Sequence, residues 1–455
     1  MKIDPVRRLA WSVLVTVSEG GDLDAELEAA QASLVVPRDR AFLASLVRGT
    51  IQWQARYDHL IGLFSRRESP HDPRVLNLLR MGLHQMLAMD GVPDFAAIDQ
   101  TVAVARAVGE TRRSGFVNGV LRNLQRRLTP QGGDAPGGPD RIEEMFSSLA
   151  SDPAGWVSAW YSHPRWLVED WLRRFGRAAT EDLCAFNNRP VPLDFCVLPG
   201  EDPETVTASL AVDGSREVEQ VAAGTLRVSP RPGRGTIRQL LDEHPRLIVQ
   251  DATVQDATRW LASGLDDLPD SPWVLDMCAA PGGKSVHLAA LLAPGRNLLA
   301  MEPDDRRMQL LRGTVTRVGP LPLVRGDGLR PPLAPGSCAA VLLDGPCSGT
   351  GVLRRHPEAR WRLQPALVRT KARLLGDLAR RAVELLAPGG VLLYATCSLQ
   401  EEENQAVVDG LLRVVPGLET VADEDGAWQK VWLPPEAPGD GFFAARLRRK
   451  RETHA

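Results

Sequence analysis

No apolar run in this 455-residue chain is long enough to cross a bilayer, and its opening, MKIDPVRRLAW, has no apolar core followed by a small-residue cleavage site. The expectation is a cytosolic protein with no membrane attachment. Six cysteines are present, Cys184, Cys196, Cys278, Cys338, Cys347 and Cys397, without a CxxC pair among them. A zinc site or disulfide framework would need closer spacing, so no metal is expected. A formal net charge of −3 excludes a uniformly basic coat. A polyanionic partner would have to be met by local clusters. Three exist: Arg122, Arg126 and Arg127; Arg354, Arg355, Arg360 and Arg362; and the tail Arg446, Arg448, Arg449, Lys450 and Arg451. No long-period repeat occurs.

What is present is an ordinary globular composition, 44% hydrophobic and 24% charged, on a chain too long for one core. From Pro5 to about Leu128 apolar residues recur at helical spacing, as in Leu43, Leu46, Val47 and Ile51 and in Val75, Leu78, Leu79 and Leu83. Asp72-Pro73 and Asp94 read as helix starts. The stretch TPQGGDAPGGPD, Thr129 to Asp140, has nothing to bury and reads as a linker. Beyond it lie a helix rich in aromatics, from Trp156 to Phe175, and a short β-like run from Pro192 to Leu198. After Ile248 apolar strands alternate with helices: Trp273 to Met277, Asn297 to Met301, Ala339 to Leu343 and Gly390 to Ala395. This predicts an all-α domain over 1–130, a linker over 131–150, a small α+β domain over 151–246 and a Rossmann-like α/β domain over 247–455.

In open α/β sheets ligands bind past the carboxyl ends of the strands, so those positions are where chemistry is expected. The first strand runs into Cys278, Ala279, Ala280, Pro281, Gly282, Gly283 and Lys284. Glycines there let backbone approach a ligand, and helix N-terminal amides can hold a carboxylate. The spacing is not the dinucleotide fingerprint GxGxxG, which weighs against a nicotinamide cofactor. Glu302 ends the next strand, where an acid can accept from both ribose hydroxyls of an adenosyl ligand. Asp327, in RGDG, could orient an adenine or simply cap a turn. Two cysteines follow two further strands, Cys347 in DGPCSGTGV after Asp344 and Cys397 in TCSL. One cysteine alone would read as inert packing; two so placed point to thiol chemistry.

The segments DMCAAPGGKS, DGPCSGTGVLRRHP, YATCSLQEEEN and PGDGFFAARLRR together resemble the Nop2/Sun family of RNA cytosine-C5 methyltransferases. RDRAFLASLVRGTIQWQARYDHLI and SGFVNGVLRNL resemble the NusB-like helical RNA-binding domain that precedes the catalytic domain in bacterial members. The resemblance implies S-adenosyl-L-methionine as cofactor and one cytosine of small-subunit ribosomal RNA as target. Cys397 would attack C6 of the base, and Cys347 would assist proton removal or product release. Asp344 would stabilise charge developing at N3, and Cys278 to Lys284 with Glu302, Asp327 and Asp344 would line the cofactor and base pocket. Two departures stand out, Gly345 where the family more often has Ala and Glu302 where Asp is commoner. The rival readings are a methyltransferase of another RNA, a DNA cytosine methyltransferase with Cys347 as nucleophile, and a ribosome assembly factor that binds RNA without turnover. His356 is a candidate for phosphate contact, Arg360 and Trp361 for stacking on a base. A monomer is the default expectation.

Overall fold

The computed structural model describes residues 3–65, 72–128, 139–211, 216–265, 267–271 and 273–451. Of the expected linker over 131–150, the part 131–138 lies outside these residues, and the rest carries the short helices Pro139–Glu144 and Ser147–Leu149. By its contacts the chain forms two units, Met1–Asn188 together with His356–Arg362, and Arg189–Arg355 together with Leu363–Ala455. Among the described residues no helix is long and apolar enough to cross a membrane.

The first unit is helical, with successive helices Pro5–Ser18, Leu23–Ala32, Pro37–Gln52, Gln54–Phe64, Pro73–Ala88, Asp94–Ala107 and Ser114–Leu128. Their starts follow from capping chemistry: Asp4 and Asp22 accept first-turn amide hydrogen bonds, and Asp72 accepts from Arg74 N with Pro73 in the first turn. The apolar stripes meet in a core, where Leu43, Leu46, Val47, Leu78 and Leu79 have no exposed surface. The aromatic stretch forms two helices rather than one, Pro153–Trp160 and Arg165–Phe186. Ser162 takes a positive φ of 58° between them, and Pro164 precedes the new first turn. Gly176, at φ 77°, kinks the second.

Residues 356–362 complete this unit. Arg360 is fully buried, and its guanidinium donates to Ser162 O at 2.9 Å, Asn188 Oδ1 at 3.0 Å and Asn187 O at 3.2 Å. Trp361 Nε1 donates to Ile51 O at 2.8 Å. Both side chains are thus anchors and not the base-stacking platform expected of them, because the tertiary fold supplies backbone carbonyls that a sequence does not reveal. His356 remains half-exposed, with Glu358 3.7 Å away.

The second unit holds two sheets. The smaller has strands β1 (Leu193–Val197), β2 (Glu217–Ala222), β3 (Thr225–Ser229) and β4 (Leu247–Val249), in the order β2-β3-β1-β4, with β1 antiparallel to both neighbours. The larger comprises β5 (Trp273–Asp276), β6 (Asn297–Glu302), β7 (Leu323–Arg325), β8 (Cys338–Asp344), β9 (Leu386–Thr396), β10 (Leu418–Thr420), β11 (Gln429–Trp432) and β12 (Phe442–Arg449). Its order is β10-β12-β9-β8-β5-β6-β7, with β11 paired to β12. Strands β5 to β9 are mutually parallel, whereas β12 runs antiparallel to β9. The parallel sheet expected from the alternation therefore gains an antiparallel strand: β12 follows β11 after a link too short for a crossover, so it runs antiparallel to β11 and to β9.

Successive residues of the central strands feed two cores. Val274, Ala340, Leu342 and Leu393 pack on one face with Leu261, Val286 and Leu311; Leu275, Val341, Leu343 and Leu392 pack on the other with Leu375, Leu378 and Leu411. A sheet buried on both faces needs apolar residues at every position, which is why these strands read as continuous hydrophobic runs. The chain winds outward from β5 through β6 to β7, then returns through β8 to β9. The reversal lies between β5 and β8, and a crevice is expected at their carboxyl ends.

Candidate active site

The turn after β5 is shaped by its neighbours. Ala279 N donates to Met301 O at 3.0 Å, Arg307 Nη2 to Ala280 O at 2.9 Å and Thr314 Oγ1 to Pro281 O at 2.7 Å. Gly282 has φ +105°, and a Cβ there would lie 2.9 Å from Leu311 Cδ1, so only glycine suits the position. The helix Gly283–Leu291 starts from it. Ser285 Oγ donates to Asp276 Oδ2 at 2.7 Å, while Asp276 Oδ1 is buried without a hydrogen-bond partner among the described residues. Burial pushes the Asp276 carboxyl up to about 6, aided by the charge of Asp344 and opposed by the Ser285 hydrogen bond. Cys278 is pushed up too, first by burial and then by the carboxylates of Asp276 and Asp344.

Gln250, next to β4, was not foreseen as a contact. It is 7% exposed, its Oε1 meets His287 Nδ1 at 2.8 Å, and its Nε2 has no hydrogen-bond partner among the described residues. That nitrogen lies 3.8 Å from where a Cβ on Gly283 would sit. Burial lowers His287 to about 4, so the ring is neutral near pH 7 and a single Nδ1 proton suffices for its bond to Oε1. Glu302 is buried at the end of β6, with Oε1 accepting from Asp304 N at 3.2 Å and Oε2 3.6 Å from Arg307 Nε. Asp327 is exposed, and its Oδ1 caps a turn by accepting from Leu329 N at 2.9 Å.

Across the reversal point Lys284 Nζ lies 2.6 Å from Asp344 Oδ2. Burial alone would lower the Lys284 ammonium, but the Asp344 carboxylate offsets this and holds it above the ordinary lysine value. The ammonium also sits 5.4 Å over the Phe442 ring. Cys347 Sγ and Cys397 Sγ are 3.3 Å apart, from segments fifty positions distant in the chain. The hydrogen bond with Cys397 is the largest cause holding the Cys347 thiol well above its usual range, followed by burial and by the charges of Cys397, Glu403 and Asp344.

The two thiol segments meet at backbone level. Gly351 N donates to Cys397 O and Gly351 O accepts from Gly441 N, both at 2.9 Å. A Cβ on Gly351 would lie 2.2 Å from Gly441 O, so three loops close only around a glycine. Gly345 is a milder case: a Cβ there would meet Leu375 Cδ2, the movable end of a side chain, at 2.3 Å. The larger leucine tip occupies the space that the commoner Ala would need. Beside this contact Arg355 is paired with Asp251 at 2.6 Å and with Asp440, and Arg354 lies 3.2 Å from Asp440 Oδ1. In the basic tail Arg446 is buried over Trp260, and Arg448 and Arg451 face Asp267. Arg354, Arg355 and Arg446 are thus engaged inside the fold, contrary to their reading as surface charge for phosphate, whereas Arg451 stays exposed.

The geometry thus gathers the glycine turn, Glu302, Lys284, Asp344, Cys347 and Cys397 into the strand-end layer of one sheet, with Asp327 on its exposed margin. Residues 265–448 match the family described as 16S rRNA methyltransferase RsmB/F, and residues 4–126 match the NusB family. The chain is 35% identical to the protein named "Putative methyltransferase Rv1407" of Mycobacterium tuberculosis, over 98% of this chain and 97% of that one. It is 31% identical to "Probable ribosomal RNA small subunit methyltransferase B" of Synechocystis, over 91% and 92%. The crystal structure of PH0851 shares the fold, with a TM-score of 0.74 at 23% identity over 98% of this chain and 99% of that one. Since two relatives above 30% identity run nearly end to end with it, the chain belongs to the 16S rRNA methyltransferase RsmB/F family.

Proposed function

We propose that this chain methylates C5 of a cytosine in small-subunit ribosomal RNA, with S-adenosylmethionine as methyl donor and Cys397 as covalent nucleophile. The observation that carries the reading is the 3.3 Å approach of Cys397 and Cys347 beside the Lys284–Asp344 pair. Relatives named ribosomal RNA small subunit methyltransferase B support the choice of RNA.

The residues of the turn fit the cofactor. Gln250 Nε2 and the first amides of helix Gly283–Leu291 offer donors to a carboxylate, and Glu302 offers acceptors to a ribose. S-adenosylmethionine would supply an electrophilic methyl carbon there.

C5 of cytosine is a weak nucleophile until a thiolate adds at C6. In this reading Cys397 loses its thiol proton to solvent and its sulfur forms a bond to C6; electron density moves toward N3 and to C5, which would then take the methyl carbon as that carbon's bond to the donor's sulfonium sulfur breaks. Lys284 and Asp344, one cationic and one able to carry a proton, face that developing charge. Once Cys397 is bonded to carbon it no longer holds the Cys347 proton, and the largest cause of the high Cys347 value disappears. Cys347 then ionises more readily and takes the proton from methylated C5, after which the sulfur–C6 bond breaks and Cys397 leaves as thiolate. The target base must be unpaired or turned out of its stack to reach the sulfur.

The test is transfer of labelled methyl groups to unmodified small-subunit RNA, with denaturing gels to detect protein–RNA adducts. Cys397→Ala should abolish transfer and adduct, whereas Cys347→Ala should accumulate adduct. Adduct through Cys347, or methylation at a position other than C5, would overturn the assignment.

A further inference from the structure

Glu403 lies in the acidic run Glu401–Glu403, yet it has no exposed surface. Its Oε1 accepts from Ser348 N at 2.7 Å, and its Oε2 accepts from Ser348 Oγ at 2.5 Å and from Ser398 Oγ. Ser348 directly follows Cys347, and Ser398 directly follows Cys397. A single carboxylate therefore spans both thiol segments. The two serine hydroxyls also meet each other at 3.3 Å, and Thr350 Oγ1 lies 3.2 Å from Ser398 Oγ.

The carboxylate is itself held firmly. Tyr394 OH donates to Glu403 O, and the adjacent Asn404 is clamped on both sides, accepting from Thr396 Oγ1 at 2.6 Å and donating to Ser398 O at 2.8 Å. A buried anion is costly unless its acceptors are filled. Here all three partners can donate, which suits a carboxylate and leaves the amide of a glutamine facing a backbone N–H or a hydroxyl. The side-chain hydrogen bonds of Glu403 among the described residues run to Ser348 and Ser398, the neighbours of the two cysteines.

We propose that Glu403 is a positioning residue that holds Cys347 and Cys397 in register through Ser348 and Ser398, one serine serving each thiol. The inference rests on the covalent reading above. Each arm then has its own consequence: the Ser398 arm orients the nucleophile for attack at C6, and the Ser348 arm orients the thiol that removes the C5 proton. The charge of Glu403 also raises the Cys347 thiol, which faces Asp344 and Tyr394 as well, and Glu402 raises Glu403 in turn.

The experiment is single-turnover kinetics on the full chain with unmodified RNA, following adduct formation and adduct release separately in Ser398→Ala, Ser348→Ala and Glu403→Gln. Loss of a hydrogen bond to a charged group predicts a slowing of about 10- to 100-fold in the affected step. Ser398→Ala should slow adduct formation and spare release; Ser348→Ala should slow release and spare formation. Glu403→Gln should slow both while KM for S-adenosylmethionine stays within about twofold, a margin below half a kcal/mol. It should also move the limb of the adduct-release pH–rate profile that rises with pH to lower pH, because a negative charge that holds the Cys347 proton is gone. If adduct forms but both serine variants leave both steps unchanged, or Glu403→Gln lowers only the melting temperature, the inference is overturned and the covalent reading survives. If Cys347→Ala never yields adduct, the covalent reading falls and takes the inference with it.

Discussion

The two halves of the strand-end layer are built in opposite ways. The cofactor half is one contiguous stretch, Asp276 to Lys284, shaped by backbone geometry, and two buried polar atoms beside it, Asp276 Oδ1 and Gln250 Nε2, have no protein partner among the described residues. The thiol half joins segments around Cys347, Cys397, Glu403 and Gly441, and the carboxylate at its centre has both oxygens engaged. The difference fits the proposed function. There a surface that exchanges a ligand every turnover would keep donors and acceptors in reserve, while a pair of reacting thiols would need a closed frame that does not relax.

The largest expected effect falls on the closed frame. Gly351→Ala drives a methyl group against the Gly441 carbonyl and the Cys397 backbone. A loss of at least about 3 kcal/mol in unfolding free energy, with loss of methyl transfer, is expected from denaturant titration. A variant of native stability would break the comparison by showing that the frame can relax.

Next is the buried acid of the cofactor half. Because the Asp276 carboxyl is raised to about 6 from an ordinary 3.8, the fold favours its protonated form. That stabilisation is complete below about 3.8 and is lost as pH rises through about 6. Asp276→Asn should therefore gain on the native chain between pH 4 and pH 7.5, by on the order of 3 kcal/mol in parallel urea titrations. A difference that does not depend on pH contradicts a raised value.

Gly282→Ala should cost about 2 kcal/mol through its positive φ and the Leu311 contact. It should also weaken S-adenosylmethionine binding by calorimetry, since in the proposed function the turn meets the ligand. Unchanged affinity would remove the turn from the cofactor half. The smallest effect is expected at Gly345→Ala, under about 1.5 kcal/mol with transfer retained, because Leu375 can rotate away. Loss of activity there would make the thiol half as unyielding at its margin as at Gly351.

The same contrast explains what could be read in advance. Helices such as Pro37–Gln52 and Pro73–Ala88 were legible because their apolar residues keep one face. The glycine turn and both cysteines were legible because each follows a strand whose continuous apolar run marks it as buried. Arg360, Trp361 and Arg446 were misread as surface cations or stacking groups. A charged side chain looks exposed in sequence, and only the carbonyls brought to it by distant segments allow its burial.

The sequence by itself determined the order of elements, the layer in which chemistry is to be sought and the residue types in it, since these depend on local periodicity and on short turns. Tertiary structure alone decided that Cys347 and Cys397 lie 3.3 Å apart, that Gln250 stands beside the turn, and that one member of an acidic run is the brace between two thiols. These are contacts between positions many residues distant, and no local pattern encodes a distance of that kind.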